Sequence, residues 1–141
     1  MNNEILEFNF SEIEEIMDNV YLIERGVRSC YTSSISGPID DYEYADGKVV
    51  LSVYNKLKQI EEYIKSHNLY FYSYKYKKED DDFGDHESFC IWVYKYPHQG
   101  KILRMLPGHH GYLEEWITGK LLNYSDECME EFLSDHPHND L

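Results

Sequence analysis

Two histidines close to a glutamate could form a catalytic or metal-binding site. In GHHGYLEE, His109 and His110 precede Glu114, and His110 would share a helix face with Glu114 if the helix began early. An imidazole beside a carboxylate can hold a metal ion or pair an acid with a base. Glycines flank the histidines, which favours a turn before the helix, and no third ligand stands at a diagnostic spacing. A small enzyme or metal-binding protein with a histidine-centred site at 109–115 is therefore the alternative function.

Common catalytic motifs are missing from the sequence. It has no glycine-rich phosphate loop, no GxSxG turn, no HExxH and no CxxC pair. Its three cysteines, Cys30, Cys90 and Cys128, are odd in number and widely spaced, so they fit neither a disulfide framework nor a paired metal site. We expect buried or half-buried free thiols and no cofactor, although a cysteine could still meet a distant histidine in space as a nucleophile pair.

An acidic segment, KEDDDFGDHE at 78–87, invites comparison with calcium sites. Counted from Asp80, the fifth position is Gly84, and the sixth, where the helix-loop-helix calcium motif has glycine, is Asp85. The flanking runs also have the composition of strands, whereas that motif needs helices. We interpret the segment either as a solvated hairpin loop or as an acidic surface for a partner. Its candidate partner-binding residues are Glu79, Asp80, Asp81, Asp82 and Asp85.

The whole chain is strongly acidic. Only 13 Lys and Arg face 27 Asp and Glu, which gives a formal charge of −14. Such a surface repels phosphates and anionic lipids, so we expect neither direct nucleic-acid binding nor membrane binding. A basic protein would be attracted over a distance set by the Debye length. The simpler explanation, that the charge only keeps a small protein soluble, stays open.

One stretch near the C-terminus, GKLLNYSDECMEEFL at 119–133, resembles a helix-turn-helix unit. A small residue stands where two helices would cross, an apolar residue comes three later, and the next position tolerates a left-handed turn. Another apolar residue follows, and two more fall on the buried side of the second helix. The matching residues are Gly119, Leu122, Asn123, Tyr124, Met129 and Phe132.

The second helix of this unit carries the wrong charge to read DNA. In a helix-turn-helix, it would enter the major groove, where Lys and Arg normally neutralise phosphates. Here it would present four carboxylates, Asp126, Glu127, Glu130 and Glu131. In one interpretation these acids are ordinary: Ser125 is the cap, the first-turn acids suit the helix N-terminus, and the others are solvated. In the other, they belong to an acidic face that mimics the phosphate backbone and occupies a basic groove of a partner.

Tyrosine is abundant, and four tyrosines alternate in LYFYSYKYK. Tyr70, Tyr72, Tyr74 and Tyr76 fall on one face of a strand. The row could cover a helix through ordinary packing, or it could meet another protein, because tyrosine offers a large area with few torsions to freeze. Tyr72 and Tyr74 are therefore further candidate partner-binding residues.

Capping and periodicity predict the elements that would position these residues. Ser11 and Glu14 form a capping box before an apolar stripe that Gly26 ends, and Asn68 is a left-handed stop for a second stripe. The aromatic runs on either side of the acidic segment predict an antiparallel hairpin, whose second strand, apolar on both faces, is central or covered on both sides.

The predicted fold class is α+β. A small antiparallel sheet or hairpin at about 69–77 and 87–96 is packed by helices 11–25 and 47–67, and a C-terminal helical hairpin at 111–134 closes one side. Two segments are left open as further strands, 27–35 and 101–106, and the second could also start a helix. We expect a turn-rich loop at 36–47.

The predicted function is an acidic protein-interaction domain that inhibits or masks a basic nucleic-acid-binding protein. Nuclease inhibitors, toxin immunity proteins and phage proteins that disarm restriction or CRISPR systems are of this physical type. The expected partner is a basic, nucleic-acid-processing protein, and no enzymatic reaction is expected. A single domain over 1–141 and a cytoplasmic location are predicted, since the length suits one core and neither a membrane span nor a signal peptide is visible.

Overall fold

A three-stranded antiparallel sheet with helices against both faces organises the described part of the chain. The computed structural model of the protein describes residues 10–76, 86–106 and 112–135. In chain order, the elements are α1 (Phe10–Glu24), β1 (Cys30–Pro38), β2 (Tyr42–Glu43), β3 (Val49–Val50), α2 (Val53–Ser66), β4 (Tyr70–Tyr76), β5 (His86–Tyr94), α3 (Pro97–Met105), α4 (Tyr112–Leu121) and α5 (Asp126–Asp135). The α+β prediction with C-terminal helices is confirmed.

Strand β5 is the centre of the sheet, whose order is β1, β5, β4. Ile91 lies opposite Ser33 of β1 and Ser73 of β4 in antiparallel register. The four residues from Ile91 to Tyr94 are all buried, although successive side chains point to opposite faces. The apolar residues on both faces of this run therefore mark a strand covered on both sides, as the sequence predicted.

Helices α1 and α2 cover the first face of the sheet. Their stripes pack against inward-facing residues of β1 and β5 in one apolar core. The core includes Ile16, Val20, Ile23, Ile35, Val53, Leu57, Ile60, Ile64, Ile91 and Val93. The burial of these residues is the main stabilising term for both helices.

The second face is covered by α3 and by the end of α4. Cys30, Trp92 and Tyr94 form a second apolar core with Leu103 of α3, and Leu121 and Leu122 pack against it. Gln99 caps the start of α3 and links it to the residue before β1, because its side chain accepts a hydrogen bond from the Tyr96 amide at 2.9 Å and donates one to the Ser29 hydroxyl at 2.9 Å.

Three segments differ from the predicted boundaries. Residues 101–105 lie in α3, so the option of a strand at 101–106 is wrong, whereas 27–35 contributes to β1. The helix predicted over 47–67 begins at Val53, because Val49 and Val50 pair with β2 in a small hairpin. The loop predicted at 36–47 is also shorter, because β1 continues to Pro38 and the hairpin places Tyr42 and Glu43 in a strand.

Left-handed residues end both helices on the first face where the sequence placed them. Gly26, after α1, has φ of 74°, and Asn68, after α2, has φ of 59°. Glycine and asparagine tolerate this region of backbone space better than other residues, so these predictions are confirmed.

Candidate functional site

The turn between α4 and α5 has the left-handed geometry that the helix-turn-helix spacing predicts. Asn123 has φ of 68°. The amide of Tyr124 donates to the Gly119 carbonyl at 2.9 Å, and the amide of Asn123 donates to the Lys120 carbonyl at 3.1 Å. This pair of hydrogen bonds is a Schellman motif, which satisfies carbonyls at the end of α4 and sets the direction in which the chain enters α5.

Gly119 and Met129 form the contact where the two helices cross. Met129 is 4% exposed, and a Cβ added at Gly119 would lie 1.9 Å from the Met129 sulfur. The predicted roles of these two residues are therefore confirmed. Phe132, which the spacing assigned to the buried side of α5, is 42% exposed, because α5 buries only a narrow stripe against α4.

All four candidate acids of α5 are exposed. Asp126, Glu127, Glu130 and Glu131 point to solvent, and the helix sequence DECMEEFLSD contains no Lys or Arg to balance them. Asp126 pairs with Lys120 of α4. A continuous acidic surface follows, and its charge repels DNA from the position that a recognition helix would use to read it.

Helix capping accounts for part of this acidic composition. The Ser125 hydroxyl accepts a hydrogen bond from the Cys128 amide at 3.1 Å, so Ser125 is the predicted cap. Asp126 and Glu127 lie in the first turn, where negative charge is favourable next to the helix N-terminus. Glu130 and Glu131 lie beyond that turn and gain nothing from it.

Other exposed acids lie on the far side of the sheet. Helix α1 also lacks basic residues and exposes Glu14, Asp18 and Glu24. Because α1 covers the first face and α4 the second, the described acids do not gather on one face of the molecule. The acidic surface of α5 is therefore one of several, and its distinguishing feature is the helix pair that presents it.

The acidic segment and the histidine pair lie outside the described residues. This applies to Glu79, Asp80, Asp81, Asp82 and Asp85, and also to His109 and His110. Glu114 is half-buried at the start of α4. Over 10–76, 86–106 and 112–135, no group of three His, Cys, Asp or Glu side chains could hold a metal ion.

The tyrosine row belongs to β4 and lies mainly on the second face of the sheet. Tyr72 and Tyr74 are half-buried beside the second core, and the Arg104 guanidinium lies 4.9 Å from the centre of the Tyr72 ring. Burial raises the pKa of Tyr74, and its contact with Cys90 adds to the shift. Tyr70 is 43% exposed and stacks on Tyr94 at 5.5 Å. Sheet packing explains these positions, and a partner contact at Tyr72 or Tyr74 stays a prediction.

The three cysteines occupy three different environments. Cys30 is buried, Cys90 is half-buried and Cys128 is exposed on α5, so the expectation of burial is wrong for Cys128. Burial raises the pKa of Cys30 to about 11, with a small opposing effect from the Ser29 hydroxyl. Cys30 is thus a protonated, unreactive thiol at neutral pH, whereas Cys128 is accessible to reagents.

A groove between α4 and α5 was missed by sequence reasoning. Its volume is about 440 Å³, and its lining includes Leu122, Tyr124, Cys128 and Phe132. The spacing of Cys128 and Phe132, four residues apart and therefore on one helix face, was the available signal. It was overlooked because Phe132 was assigned to the buried side.

Comparison with protein families, curated proteins and solved structures found no match for this chain. Within the described residues, none of the helices has the length and apolar character needed to cross a membrane.

Proposed function

We propose that the protein is an acidic interaction domain that binds the nucleic-acid-binding surface of a basic protein and thereby masks it. The observation that carries the proposal is the exposed surface of α5, a helix in a helix-turn-helix-like frame that carries four carboxylates and no basic residue, with Lys120 of α4 paired to Asp126. In a DNA reader, the corresponding surface supplies positive charge to phosphates. A negative charge on the corresponding surface of this protein suits a partner that itself binds phosphates.

The charge of the whole chain supports the same class of partner. At −14, the chain attracts a basic protein during diffusional encounter, which raises the association rate more than the final affinity. The acids at 79–85 would add to this attraction. Such a protein acts in the compartment where nucleic acids are processed, and a cytoplasmic location belongs to the proposal. No catalytic step or cofactor is required.

The test uses the full chain as bait in a bacterial lysate, followed by a competition assay. We expect a basic nucleic-acid-binding protein to be retained at low salt and released at high salt, because screening weakens the attraction. The purified partner is then bound to a fluorescently labelled DNA duplex, and the chain is added. Displacement of the duplex, measured as a fall in fluorescence anisotropy, is the expected result.

Two variants with equal charge change separate the α5 surface from general acidity. One reverses three acids of α5, Glu127→Lys, Glu130→Lys and Glu131→Lys. The matched control reverses three exposed acids elsewhere, Glu14→Lys and Asp18→Lys on α1 and Glu62→Lys on α2. The α5 variant should lose displacement activity, whereas the control should retain most of it. Equal losses, or a partner that still holds its duplex in the presence of the unmodified chain, would show the proposal to be wrong.

A further inference from the structure

The groove between α4 and α5 combines an apolar lining with exposed walls. Gly119 and Met129 line the groove and are buried, and Leu122, which also lines it, is half-buried. Tyr124 and Phe132 line the same groove and are 55% and 42% exposed. Aromatic side chains left in water at the edge of an apolar groove are the type of residue that anchors protein interfaces.

A row of carboxylates runs along this groove. Glu127 and Glu131 are four residues apart, and so are Cys128 and Phe132, so α5 carries an acidic row directly beside the apolar row. Glu115 of α4 lines the groove as well. Among the described residues that line it, one is a carboxylate and none is Lys or Arg. The groove therefore offers apolar contact framed by negative charge.

We propose that this groove binds a basic amphipathic helix of the partner, with an apolar side chain inserted beside Phe132 and with Lys or Arg side chains directed at Glu115, Glu127 and Glu131. The inference rests on the proposed function and names the element that the partner contributes. Helices that lay an apolar face into a hydrophobic groove are a common recognition mode, and basic residues beside that face would complement the acidic row.

The dimensions and charge of the groove favour this occupant over two others. Helices α4 and α5 have 10 residues each, which is about 15 Å of helix. A third helix of similar length can therefore lie against both, whereas a small molecule would leave most of this open groove in water. A second copy of the chain would bring two acidic rows together, and like charges facing each other oppose binding.

Cys128 gives a direct readout, because its exposed thiol lies in the groove. The probe is a synthetic amphipathic helical peptide of about 18 residues, or five turns, with leucines on one face and lysines on the other. We expect a saturating concentration to slow the modification of Cys128 by a small maleimide about tenfold or more, with peptide mapping by mass spectrometry to identify the modified cysteine. The same peptide with glutamates in place of the lysines should give no protection.

Single substitutions test the apolar contact. Phe132→Ala should raise the apparent Kd of the peptide, measured from the protection of Cys128, about tenfold, which is the effect of removing an interface anchor. Phe132→Leu should restore most of the binding. The matched control is Tyr21→Ala, which removes an aromatic ring that is 53% exposed on α1 and should leave protection unchanged. Far-UV circular dichroism checks that each variant keeps its helices.

The results also separate this inference from the proposed function. If α5 charge reversal abolishes capture of the natural partner while Phe132→Ala changes neither capture nor Cys128 protection, the helix-binding groove is wrong and the masking function stands. If neither change affects capture, both proposals fail. Light scattering that detects a dimer of the unmodified chain, dissociated by Phe132→Ala, would assign the groove to a second copy and overturn the inference.

Discussion

Cys30 and Cys128 differ in reactivity because the fold gives one residue type two environments. Cys30 begins β1 inside the second core and is 0% exposed, whereas Cys128 is exposed in the groove between α4 and α5. A thiolate needs water or a positive charge to be stable, and the interior offers Cys30 neither. We therefore expect a maleimide to modify Cys128 first in the native protein at neutral pH, and Cys30 only when the chain unfolds.

The buried thiol also predicts how stability changes with pH. Burial raises the pKa of Cys30 from 9.0 to about 11, so the folded state keeps a proton that the unfolded chain releases. The protonated Cys30 thiol contributes about 2 to 3 kcal/mol to the free energy of unfolding. This contribution is complete below pH 9 and is lost as the pH rises towards 11. Tyr31, whose pKa burial raises to about 12, extends the decline to higher pH.

Urea unfolding from pH 8 to pH 11 measures this decline. The control is Cys30→Ala, which lowers stability at every pH through the cavity it leaves but removes the titrating group. Its free energy of unfolding should therefore fall less steeply above pH 9 than that of the unmodified protein. Parallel slopes would contradict the assignment of the decline to Cys30.

The start of α2 depends on a hydrogen-bonded cluster that joins the helix to the preceding loop. The Ser52 hydroxyl accepts from the Asn55 amide at 3.1 Å, and the Asp41 carboxylate accepts from the Ser52 amide at 2.6 Å. The Asn55 side chain also donates to Asp41. These contacts, with the Ser52 bond foremost, lower the pKa of Asp41. The first turn of α2 is thus stabilised by a residue eleven positions earlier in the chain.

Ser52→Ala should therefore destabilise the protein by about 1 kcal/mol, the usual loss for a helix N-cap. Asp41→Ala should also destabilise it, and the double variant should lose less than the sum, since both changes act on the same turn. Urea unfolding at neutral pH measures the three values. Strict additivity would mean that Asp41 and Ser52 act independently. Ser66→Ala, at the exposed end of α2, is the control.

Local signals predicted most elements, whereas long-range pairing decided the rest. The stripe of α1, the stop at Asn68 and the apolar β5 run depend on neighbours in sequence, and those predictions are confirmed. The start of α2 is different, because Val49 pairs with Glu43 across a turn, and that pairing competes with helix propensity. Residues 101–105 became helical because Pro97 and Gln99 begin α3 upstream of them.

The candidate site was predicted unevenly for the same reason. Gly119, Asn123 and Met129 are set by local helix geometry, and the sequence assigned them correctly. The exposure of Phe132 depends on how much of α5 the rest of the fold covers, which periodicity alone does not determine. The distribution of acids over two faces of the molecule likewise follows from tertiary packing, which no composition reveals.

Across the molecule, acids outnumber bases, and in the part of the chain that the structure describes some of the acids pair with exposed lysines. Lys65 lies 3.6 Å from Glu61, and Lys75 lies 2.9 Å from Glu87. The lysine side chains of these pairs are 66% and 60% exposed, and ion pairs at such positions contribute about 0 to 1 kcal/mol. The remaining acids repel one another, so a chain of charge −14 is destabilised by its own net charge.

This repulsion predicts that the proposed binding surface lowers stability. Reversal of Glu127, Glu130 and Glu131 to lysine changes the net charge from −14 to −8, since each reversal adds two positive charges. At low salt, this variant should melt at a higher temperature than the unmodified protein, and its melting temperature should rise less when sodium chloride is added. The control with Glu14, Asp18 and Glu62 reversed has the same net charge and should show a somewhat larger gain, because it keeps Glu127 in the first turn of α5.

These two variants should then distinguish the effect of the α5 acids on binding from their effect on stability. Both relieve the same net repulsion, but only the α5 variant is expected to lose its effect on the DNA-bound partner. Thermal melts by circular dichroism, at low and at moderate salt, give the stability of each. If the α5 variant is instead less stable than the unmodified protein at low salt, its acids stabilise the native helix pair, and capping would explain their presence better than partner binding. If it is more stable than the unmodified protein yet inactive, the carboxylates of α5 serve the interaction and not the fold.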